Sequence, residues 1–383
     1  MSNFIEEFLK GKKGKNKGLP LGPGLTAISR AINGIQRGML YGLASAAKVG
    51  KSTFVNYGFV IHPYLYALEH KTNIRWVYFS YEMDRVSMEF DFAAYFLFHD
   101  HKIKEVKLPD GVYYKQKNII PVSPQYLRGQ VQDDMDRTII VNDEVEEKLK
   151  IVYSQRIIPL FGEHDAHNRT LKKGLIDFHE QKENPTGINN KIIELAKERG
   201  EFINQPYVDK EGNNRNKLVG YTPKDPEEYI IIIYDTIRKI PKERGFNMKE
   251  NIDKMIEYSV NIRNMCNYIF VPIIHLNRSM TDTQRMKYMG DLLFPASDDV
   301  KDSGNLAEEC NYLFTLFNPN DERYNLDSHF GLKLKDAKGN INYPNLRSIH
   351  LVESRHCSFP QHFRVEMEGN IKNFKQFAET PIK

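Results

Sequence analysis

The feature that most constrains the fold of this chain is a short glycine-containing segment between an apolar run and a stretch with helical spacing. The apolar run, residues 39–44, has the composition of a buried strand, and apolar residues recur at helical intervals over 54–68. The segment comprises Ser45, Ala46, Ala47, Lys48, Val49, Gly50, Lys51, Ser52 and Thr53. A strand, a tight turn and a helix start can bind phosphate, because backbone N–H groups of the turn and the helix N-terminus face the anion. The sequence therefore predicts a nucleotide site.

Lys51 and Ser52 carry the chemistry of the predicted site. The Lys51 ammonium is expected to reach the β- and γ-phosphates of ATP, and the Ser52 hydroxyl to complete the ligand shell of Mg²⁺. Ser45 stands where the usual pattern begins with glycine, but the second glycine, Gly50, is present. We therefore predict ATP and Mg²⁺ as cofactors. The alternative is a Gly-Lys-Ser-Thr sequence that occurs by chance in a surface loop.

The composition favours a chain with a normal buried core. The 383 residues are 40% hydrophobic and 27% charged, and the net charge of +4 is too small to indicate nucleic-acid binding by itself. The three cysteines lie far apart, so neither a disulfide framework nor a zinc pattern is indicated. No apolar run approaches the roughly 20 residues that span a bilayer, and the N-terminus lacks the apolar core of a signal peptide. We expect a soluble, intracellular protein that does not bind membranes.

The chain is predicted to combine a short N-terminal part with one large domain. Residues 1–18 form a short helix and a basic linker, and 19–383 form the domain. The helix carries Phe4, Ile5, Phe8 and Leu9 on one face, and it is too short to be stable alone. We expect this face to dock on its own domain or on a neighbouring subunit. Residues 99–183 are more polar and predict an insertion, with short strands at 112–114, 137–141 and 150–153.

Strand and helix patterns alternate along the rest of the domain, which predicts a parallel sheet with crossover helices. Strands are predicted at 74–80, 229–235 and 268–274, helices at 188–199, 249–267 and 303–312, and β-rich structure from 330 to 365. Residues 209–214 superficially resemble a calcium loop but lack the full ligand series, which favours a hairpin turn. The sequence therefore predicts an α/β fold with a central, mostly parallel sheet flanked by helices and a β-rich C-terminal part.

Three polar residues follow predicted strands of this sheet. Asp235 ends the isoleucine-rich strand, Glu82 follows the strand at 74–80, and His275 follows the strand at 268–274. Ligands bind at the carboxyl ends of strands in such sheets, so Asp235 is expected to hold Mg²⁺ directly or through water. If its strand lies beside that of Asp235, Glu82 can orient or deprotonate the attacking water, and His275 can contact the γ-phosphate. A turn aspartate, a surface glutamate and a core histidine are the plain alternatives.

Six segments of the chain occur in an informative order. They are the phosphate loop, 79–83 with Glu82, 229–235 with Asp235, 274–279 with His275, 302–309, and 353–355 with Arg355. In this order the chain resembles the DnaB-like replicative helicases, which are RecA-like ring ATPases, from about residue 21 to residue 377 apart from the insertion. The resemblance implies a RecA-like core in which Glu82 is the catalytic glutamate and His275 the γ-phosphate sensor. It implies that Arg355 is an arginine finger acting on the nucleotide of a neighbour; an ordinary exposed arginine is the alternative.

The resemblance also implies a hexameric ring that hydrolyses ATP, translocates on single-stranded DNA and unwinds duplex. Channel loops are then expected in 280–302, where basic side chains neutralise phosphates and an aromatic ring stacks on a base. A solvated loop with scattered charges is the alternative. Primase, polymerase or a loader are further expected partners, and the chain is expected to be phage-encoded and to act in the cytoplasm of a bacterial host. The predicted DNA contacts are Arg278, Arg285, Lys287, Tyr288 and Lys301.

The chain departs from the family pattern at several points. Glu353 stands where the family usually has lysine, the N-terminal scaffold domain of bacterial members is expected to be absent, and the interval from Glu82 to Asp235 is long. Two other functions stay open at this point. One is a RecA-like recombinase, which shares the site but forms open filaments on DNA. The other is a nucleotide-gated DNA-binding scaffold with little turnover, which the substitutions at Ser45 and Glu353 keep open.

Overall fold

A computed structural model describes residues 3–12, 17–165, 169–208, 213–300 and 304–377. Its central sheet has nine strands, which pair in the order β9-β8-β7-β6-β1-β5-β4-β2-β3 when they are numbered along the chain. The strands from β6 to β3 run parallel, and β7, β8 and β9 join antiparallel beside β6. The predicted α/β fold with a mostly parallel sheet is confirmed. The strands are β1 (Tyr41–Ser45), β2 (Ile74–Ser80), β3 (Ile176–His179), β4 (Tyr229–Asp235), β5 (Ile269–His275), β6 (Tyr312–Phe317), β7 (Leu346–Ser354), β8 (Gln361–Glu368) and β9 (Asn373–Gln376).

The centre of the sheet is buried on both faces. Side chains alternate along β4, so that Ile231 and Ile233 join one core cluster while Ile230 and Ile232 join a second cluster on the other face. Strands covered on both faces have continuous apolar sequences. For this reason the predictions for 74–80 and 229–235 match the bounds of β2 and β4.

Helices flank both faces of the sheet. The segment after β1 is helical from Lys51 to His70, with a π-helical stretch at Asn56–Ile61. The predicted helices at 188–199 and 249–267 are observed as Pro185–Arg199 and Met248–Cys266, and the helix predicted at 303–312 is shorter because β6 begins at Tyr312. The α-helices are Asn3–Lys12, Thr26–Ala31, Lys51–Val55, His62–His70, Arg85–His101, Pro124–Leu127, Asp143–Val152, Ile158–Phe161, Pro185–Arg199, Met248–Cys266, Thr283–Met289 and Gly304–Glu309.

The segment predicted as an insertion, 99–183, is partly joined to the sheet. It supplies β3, which pairs in parallel with β2 and forms the edge of the sheet. The strand predicted at 150–153 is wrong, because Asp143–Val152 is a helix that Asn142 caps by accepting the Val145 N–H at 2.8 Å. Residues 112–114 and 137–141 contain only single β-bridges. The apolar spacing of Val145, Leu149 and Val152 is helical, and the β-forming composition of 151–153 masked it.

Several two-stranded sheets lie outside the central sheet. The longest is a hairpin of Gly200–Val208 and Asn214–Pro223, whose strands pair antiparallel and are largely exposed. The predicted turn at 209–214 connects these strands, but residues 209–212 lie outside the described part of the chain. The other short strands are Glu105–Lys107 with Ile119–Pro121, Glu163–His164 with Thr170–Lys172, and Ser328–His329 with Leu332–Lys333.

The N-terminal helix keeps part of its apolar face open. In Asn3–Lys12, the side chains of Ile5, Phe8 and Leu9 are 39, 60 and 37% exposed, and the Phe4 side chain lies outside the described residues. A solvent-facing apolar stripe on a ten-residue helix indicates a surface that needs a partner. Helices with the length and apolar character needed to cross a bilayer are absent from the described part of the chain.

Candidate functional site

The phosphate loop lies between the carboxyl end of β1 and the helix that starts at Lys51. Gly50 has a φ of 112°, so the backbone favours glycine here, and a Cβ atom at this position would also lie 2.4 Å from the Met367 sulfur, whose flexible side chain would have to move. The Arg347 side chain in β7 donates to the Val49 carbonyl at 3.2 Å. The antiparallel strands β7 and β8 therefore support the loop from the side.

Ser45, which replaces the usual first glycine, is accommodated within the loop. Its side chain is fully buried, and its hydroxyl donates to the Ala46 carbonyl at 2.7 Å. Ser45 also lies beside His275 in the register of β1 and β5. The serine hydroxyl thus has a hydrogen-bond partner within the loop, and the loop and the helix start that follow keep their places.

The Lys51 ammonium lies in the middle of the site. It donates to the Ala46 carbonyl at 3.0 Å and lies 3.3 Å from Nδ1 of His275. Burial lowers the pKa of Lys51 to about 8, although the negative charges of Glu82 and Asp235 act in the opposite direction. The lysine is therefore still mostly protonated at pH 7, and a polyanionic ligand would favour that form.

Asp235 ends β4 and is fully buried. The Tyr78 hydroxyl donates to its Oδ2 at 3.3 Å, whereas its buried Oδ1 has no hydrogen-bond partner among the described residues. Burial raises the pKa of Asp235, while hydrogen bonds from the Ser52 and Tyr78 hydroxyls lower it. An unpaired buried carboxylate oxygen costs roughly 1–3 kcal/mol. A hard divalent cation takes oxygen ligands of this kind and would restore the charged form, so Asp235 and Ser52 fit Mg²⁺.

Glu82 follows β2 and contacts His275 across the site. The Nε2 atom of His275 lies 3.3 Å from Glu82 Oε1, and the Lys239 ammonium lies 3.6 Å from the same oxygen. Burial alone would raise the pKa of Glu82, but the hydrogen bond from His275 and the charges of Lys239 and Lys51 outweigh it and lower the pKa. Glu82 is therefore a carboxylate at neutral pH, as a group that accepts a proton from water must be.

His275 connects the two charged groups of the site. Burial lowers its pKa, and the positive charges of Lys51 and Arg238 lower it further against the effect of Glu82. The neutral ring can accept from Lys51 at Nδ1 and donate to Glu82 from Nε2, since one ring nitrogen of neutral histidine is an acceptor and the other a donor. The structure thus brings the predicted residues Lys51, Glu82, Asp235 and His275 together at the carboxyl edge of the parallel strands.

Arg355 lies at the opposite edge of the sheet. It follows β7, whose last residue Ser354 pairs with Tyr312, and Tyr312 pairs with Tyr41 at the start of β1. The Arg355 guanidinium is 48% exposed, donates to the Glu308 carbonyl and lies 3.5 Å from the Glu309 carboxylate. Together with Lys249 and Asp298 it lines a cavity of about 610 Å³. Because the phosphate loop is at the other edge, Arg355 cannot reach the nucleotide site of its own chain.

The predicted DNA-contact segment follows β5 and is tied back to the domain. Arg285 pairs with the buried carboxylate of Asp299 at 2.7 Å and donates to the Phe294 carbonyl at 3.1 Å. In contrast, Tyr288 is 92% exposed on the helix Thr283–Met289, and Lys287 is also exposed. Arg285 thus holds the segment together, while its neighbours face solvent. The Arg278 side chain and all of Lys301 lie outside the described residues.

Three residues of the site were missed by the sequence analysis. Lys239 contacts Glu82, Tyr78 contacts Asp235, and Arg347 contacts the phosphate loop. Lys239 follows β4 by four positions, so its place near a strand end was a usable signal. Tyr78 lies within an apolar strand and Arg347 in a distant hairpin, and only the strand pairing brings them to the site.

Two solved structures share this fold over nearly the whole chain. One is an ATPase domain, which superposes with a TM-score of 0.60 at 12% identity, covering 98% of this chain and 96% of that one. The other, a DnaB-like replicative helicase solved in a study of its interactions with primase, gives 0.59 at 12% identity, covering 98% of this chain and 65% of that one. No protein-family model and no curated protein matches the sequence. The chain therefore has the fold of the ATPase domains of DnaB-like helicases.

Proposed function

We propose that this chain is an ATP-driven DNA helicase that translocates on single-stranded DNA as a hexameric ring and unwinds duplex. The observation that carries the proposal is the division of ATPase groups between the two edges of the sheet. Lys51, Glu82, Asp235 and His275 meet at one edge, and Arg355 lies at the other. An ATPase built in this way is complete only when two copies of the chain meet head to tail, and such contacts close into rings when the rotation between subunits closes.

Each residue at the carboxyl edge has a proposed role. The phosphate-loop N–H groups and Lys51 bind the β- and γ-phosphates of ATP, and Ser52 and Asp235 hold Mg²⁺, which would supply charge stabilisation to the phosphate oxygens. The Glu82 carboxylate orients the attacking water and accepts its proton. His275 contacts the γ-phosphate, and because it also touches Glu82 and precedes the DNA-contact segment it can report loss of that phosphate to both.

Arg355 is proposed to complete the site of the neighbouring subunit. Negative charge spreads over the γ-phosphoryl oxygens in the transition state, and a planar guanidinium supplied from outside stabilises it. Half of the Arg355 side chain is accessible, as 48% of its surface is exposed. Hydrolysis would then depend on assembly and could pass from subunit to subunit around a ring.

The segment after β5 is proposed to contact DNA. Tyr288 is exposed enough to stack on a base, and Lys287, Arg278 and Lys301 would neutralise phosphates. Arg285 would hold the segment in shape through Asp299. We further propose that residues 1–18 contact an adjacent subunit and that 19–383 form one ATPase domain. Within this domain, residues 99–183 would bind a replication partner such as primase, polymerase or a loader. The protein is proposed to be phage-encoded and to act in the bacterial cytoplasm.

One experiment tests the function as a whole. Particles would be imaged with ATP and Mg²⁺, with and without single-stranded DNA, while the ATPase rate is measured on the same samples. Closed six-fold rings with DNA-stimulated hydrolysis, followed by strand separation of a forked duplex, are the expected result. Open filaments on DNA would instead identify a recombinase, and assembly without turnover would identify a nucleotide-gated scaffold.

A further inference from the structure

A buried residue, Asn311, ties the turn that carries Arg355 to the interior of the domain, beside the buried Tyr312, whose ring centroid lies 5.5 Å from that of His356. The Arg355 backbone N–H donates to the Asn311 carbonyl at 3.0 Å. The Asn311 side-chain Nδ2 lies 3.0 Å from Nε2 of the next residue, His356. Asn311 is only 8% exposed, whereas Arg355 and His356 lie on the surface. One buried residue thus holds this exposed turn through both its backbone and its side chain.

Asn311 is itself fixed on two sides. Its Oδ1 accepts the Leu40 N–H at 2.9 Å and an N–H of the Arg263 guanidinium at 3.1 Å. Leu40 directly precedes β1, and Arg263, which is 6% exposed, belongs to the helix Met248–Cys266. An amide suits this position because its oxygen can accept twice while its NH₂ group donates. Buried polar groups whose bonds are all made form rigid networks.

The backbone of Arg355 (its root) and its guanidinium (its tip) are therefore held differently. At the root, the backbone is locked to Asn311 and through it to β1 and the helix. At the tip, the guanidinium contacts the Glu308 carbonyl and the half-exposed Glu309 carboxylate at the C-terminus of a six-residue helix. Arg263 binds the next carbonyl, that of Glu309, at 3.0 Å. The tip can exchange these surface contacts for a ligand, while the root cannot shift without breaking buried bonds.

We infer that Asn311 and His356 are positioning residues for Arg355, which set the angle at which the arginine leaves its own subunit to reach the nucleotide of the next. This inference rests on the proposed function. An arginine that reaches across a subunit boundary must give up the contacts of its guanidinium with Glu308 and Glu309, so its direction is then set at its root. A misplacement of about 1 Å at a reacting centre can cost on the order of 100-fold in rate.

The first test replaces His356, because its imidazole is exposed and contacts the interior at the Asn311 amide and the Tyr312 ring. His356→Ala should lower the ATPase kcat about tenfold with KM for ATP and the melting temperature unchanged. His356→Gln should restore most of the rate, since its amide oxygen can accept from Asn311. His70→Ala is the matched control, as His70 is exposed and contacts only its neighbours Tyr66 and Glu69 on the same helix; it should leave kcat unchanged.

The second test separates positioning from general damage by mixing subunits. Lys51→Ala subunits lack a nucleotide site but keep Arg355, and His356→Ala subunits keep the nucleotide site but present a misplaced arginine. In randomly mixed head-to-tail assemblies, about a quarter of the subunits would have an intact site next to an intact arginine. The mixture should therefore hydrolyse ATP faster than either variant alone, which a merely unstable His356→Ala protein would not allow.

The same assay distinguishes failure of the inference from failure of the proposed function. Arg355→Ala mixed with Lys51→Ala should also regain activity, because it tests action across subunits without involving Asn311. If that pair complements but His356→Ala keeps the wild-type kcat, or loses activity that mixing does not restore, the positioning role is wrong. If the Arg355→Ala pair does not complement, the proposed trans action itself fails.

Discussion

The two edges of the central sheet are built in opposite ways. At the carboxyl edge, the titratable groups contact one another: Lys51 touches His275, and His275 touches Glu82. At the amino edge, the Arg355 backbone is tied to a buried asparagine, and its guanidinium meets only the end of a short surface helix. The first edge is a set of mutually contacting groups that we propose to bind ATP and cleave its β–γ phosphoanhydride bond, whereas the second presents a single cation whose backbone is fixed.

This difference is consistent with the proposed division of the ATPase groups between two copies of the chain. Groups that bind the nucleotide and hold the water must keep fixed mutual distances, and one chain can supply them from neighbouring strand ends. A cation needed only in the transition state can come from elsewhere, and under the proposed function its place at the far edge would make turnover depend on a second copy. Substitutions at the carboxyl edge and at the amino edge test this division separately, and smaller changes then compare the two edges further.

Loss of Lys51 should have the largest effect. Lys51→Ala removes the only charged group of the phosphate loop that is buried in the site, and we expect ATPase activity to fall by on the order of 10³-fold or more. Steady-state ATP hydrolysis measures the effect, with Lys150→Ala as a control because that lysine only pairs with Glu146 on an exposed helix face. Retained activity in Lys51→Ala would remove the nucleotide-site assignment.

Loss of Arg355 should be nearly as severe but should spread between subunits. Arg355→Ala should lower kcat by about 10³-fold and leave nucleotide binding largely intact, since the residue lies at the other edge from the phosphate loop. Titration of Lys51→Ala subunits into the variant measures this. We expect activity to rise, because each Arg355→Ala site would then meet an intact arginine on a Lys51→Ala neighbour, and no rise would place the action of Arg355 within its own chain.

Glu82→Gln should affect chemistry more than binding. The amide keeps the contact to His275 but cannot accept a proton from water, and general-base groups contribute about 10²–10⁴-fold. Single-turnover hydrolysis should slow by this factor, while the affinity for a non-hydrolysable ATP analogue changes little. Glu69→Gln, at a carboxylate 79% exposed on a surface helix, is the control, and a Glu82→Gln protein with normal turnover would exclude Glu82 as the base.

The pH dependence should report the lowered pKa of Lys51. Burial brings this pKa from its ordinary value to about 8, so the ammonium needed for phosphate binding is lost as the pH rises through that value. We expect kcat/KM for ATP, which reports the free enzyme, to decline above about pH 8 by up to tenfold per unit. In the ATP complex the phosphates favour the charged lysine, so kcat should persist to higher pH. A kcat/KM that stays constant to about pH 9.5 would contradict the role of Lys51.

Removal of residues 1–18 should have the smallest effect on chemistry. The exposed side chains of Ile5, Phe8 and Leu9 are expected to be buried by an adjacent subunit, and burial of such side chains stabilises contacts by a few kcal/mol at most. Sedimentation velocity should show weaker assembly, while ATPase at high protein concentration remains. An unchanged mass would place the helix on its own domain.

The sequence alone was sufficient to predict the strands at the centre of the sheet and most of the residues that lie at its carboxyl edge. Buried parallel strands need continuous apolar runs, so β2 and β4 could be bounded from sequence, and the polar residues at their ends followed. By contrast, β3 has only four residues, of which Ile176 alone is buried, a weak local pattern that pairing with β2 turns into a sheet edge. The helix at Asp143–Val152 was missed because local composition favoured strand.

The tertiary structure decided what depends on long-range pairing. The antiparallel register of β7 with β6 places Arg355 at the amino edge, and the tie between Asn311 and His356 joins residues 45 positions apart. The contact of Arg285 with Asp299 likewise depends on how the segment after β5 folds back on itself. Local sequence determines which residues end up at strand ends, because burial sets apolar periodicity. Which of those ends meet, and which edge of the sheet each one occupies, is set by strand order, which no local pattern encodes.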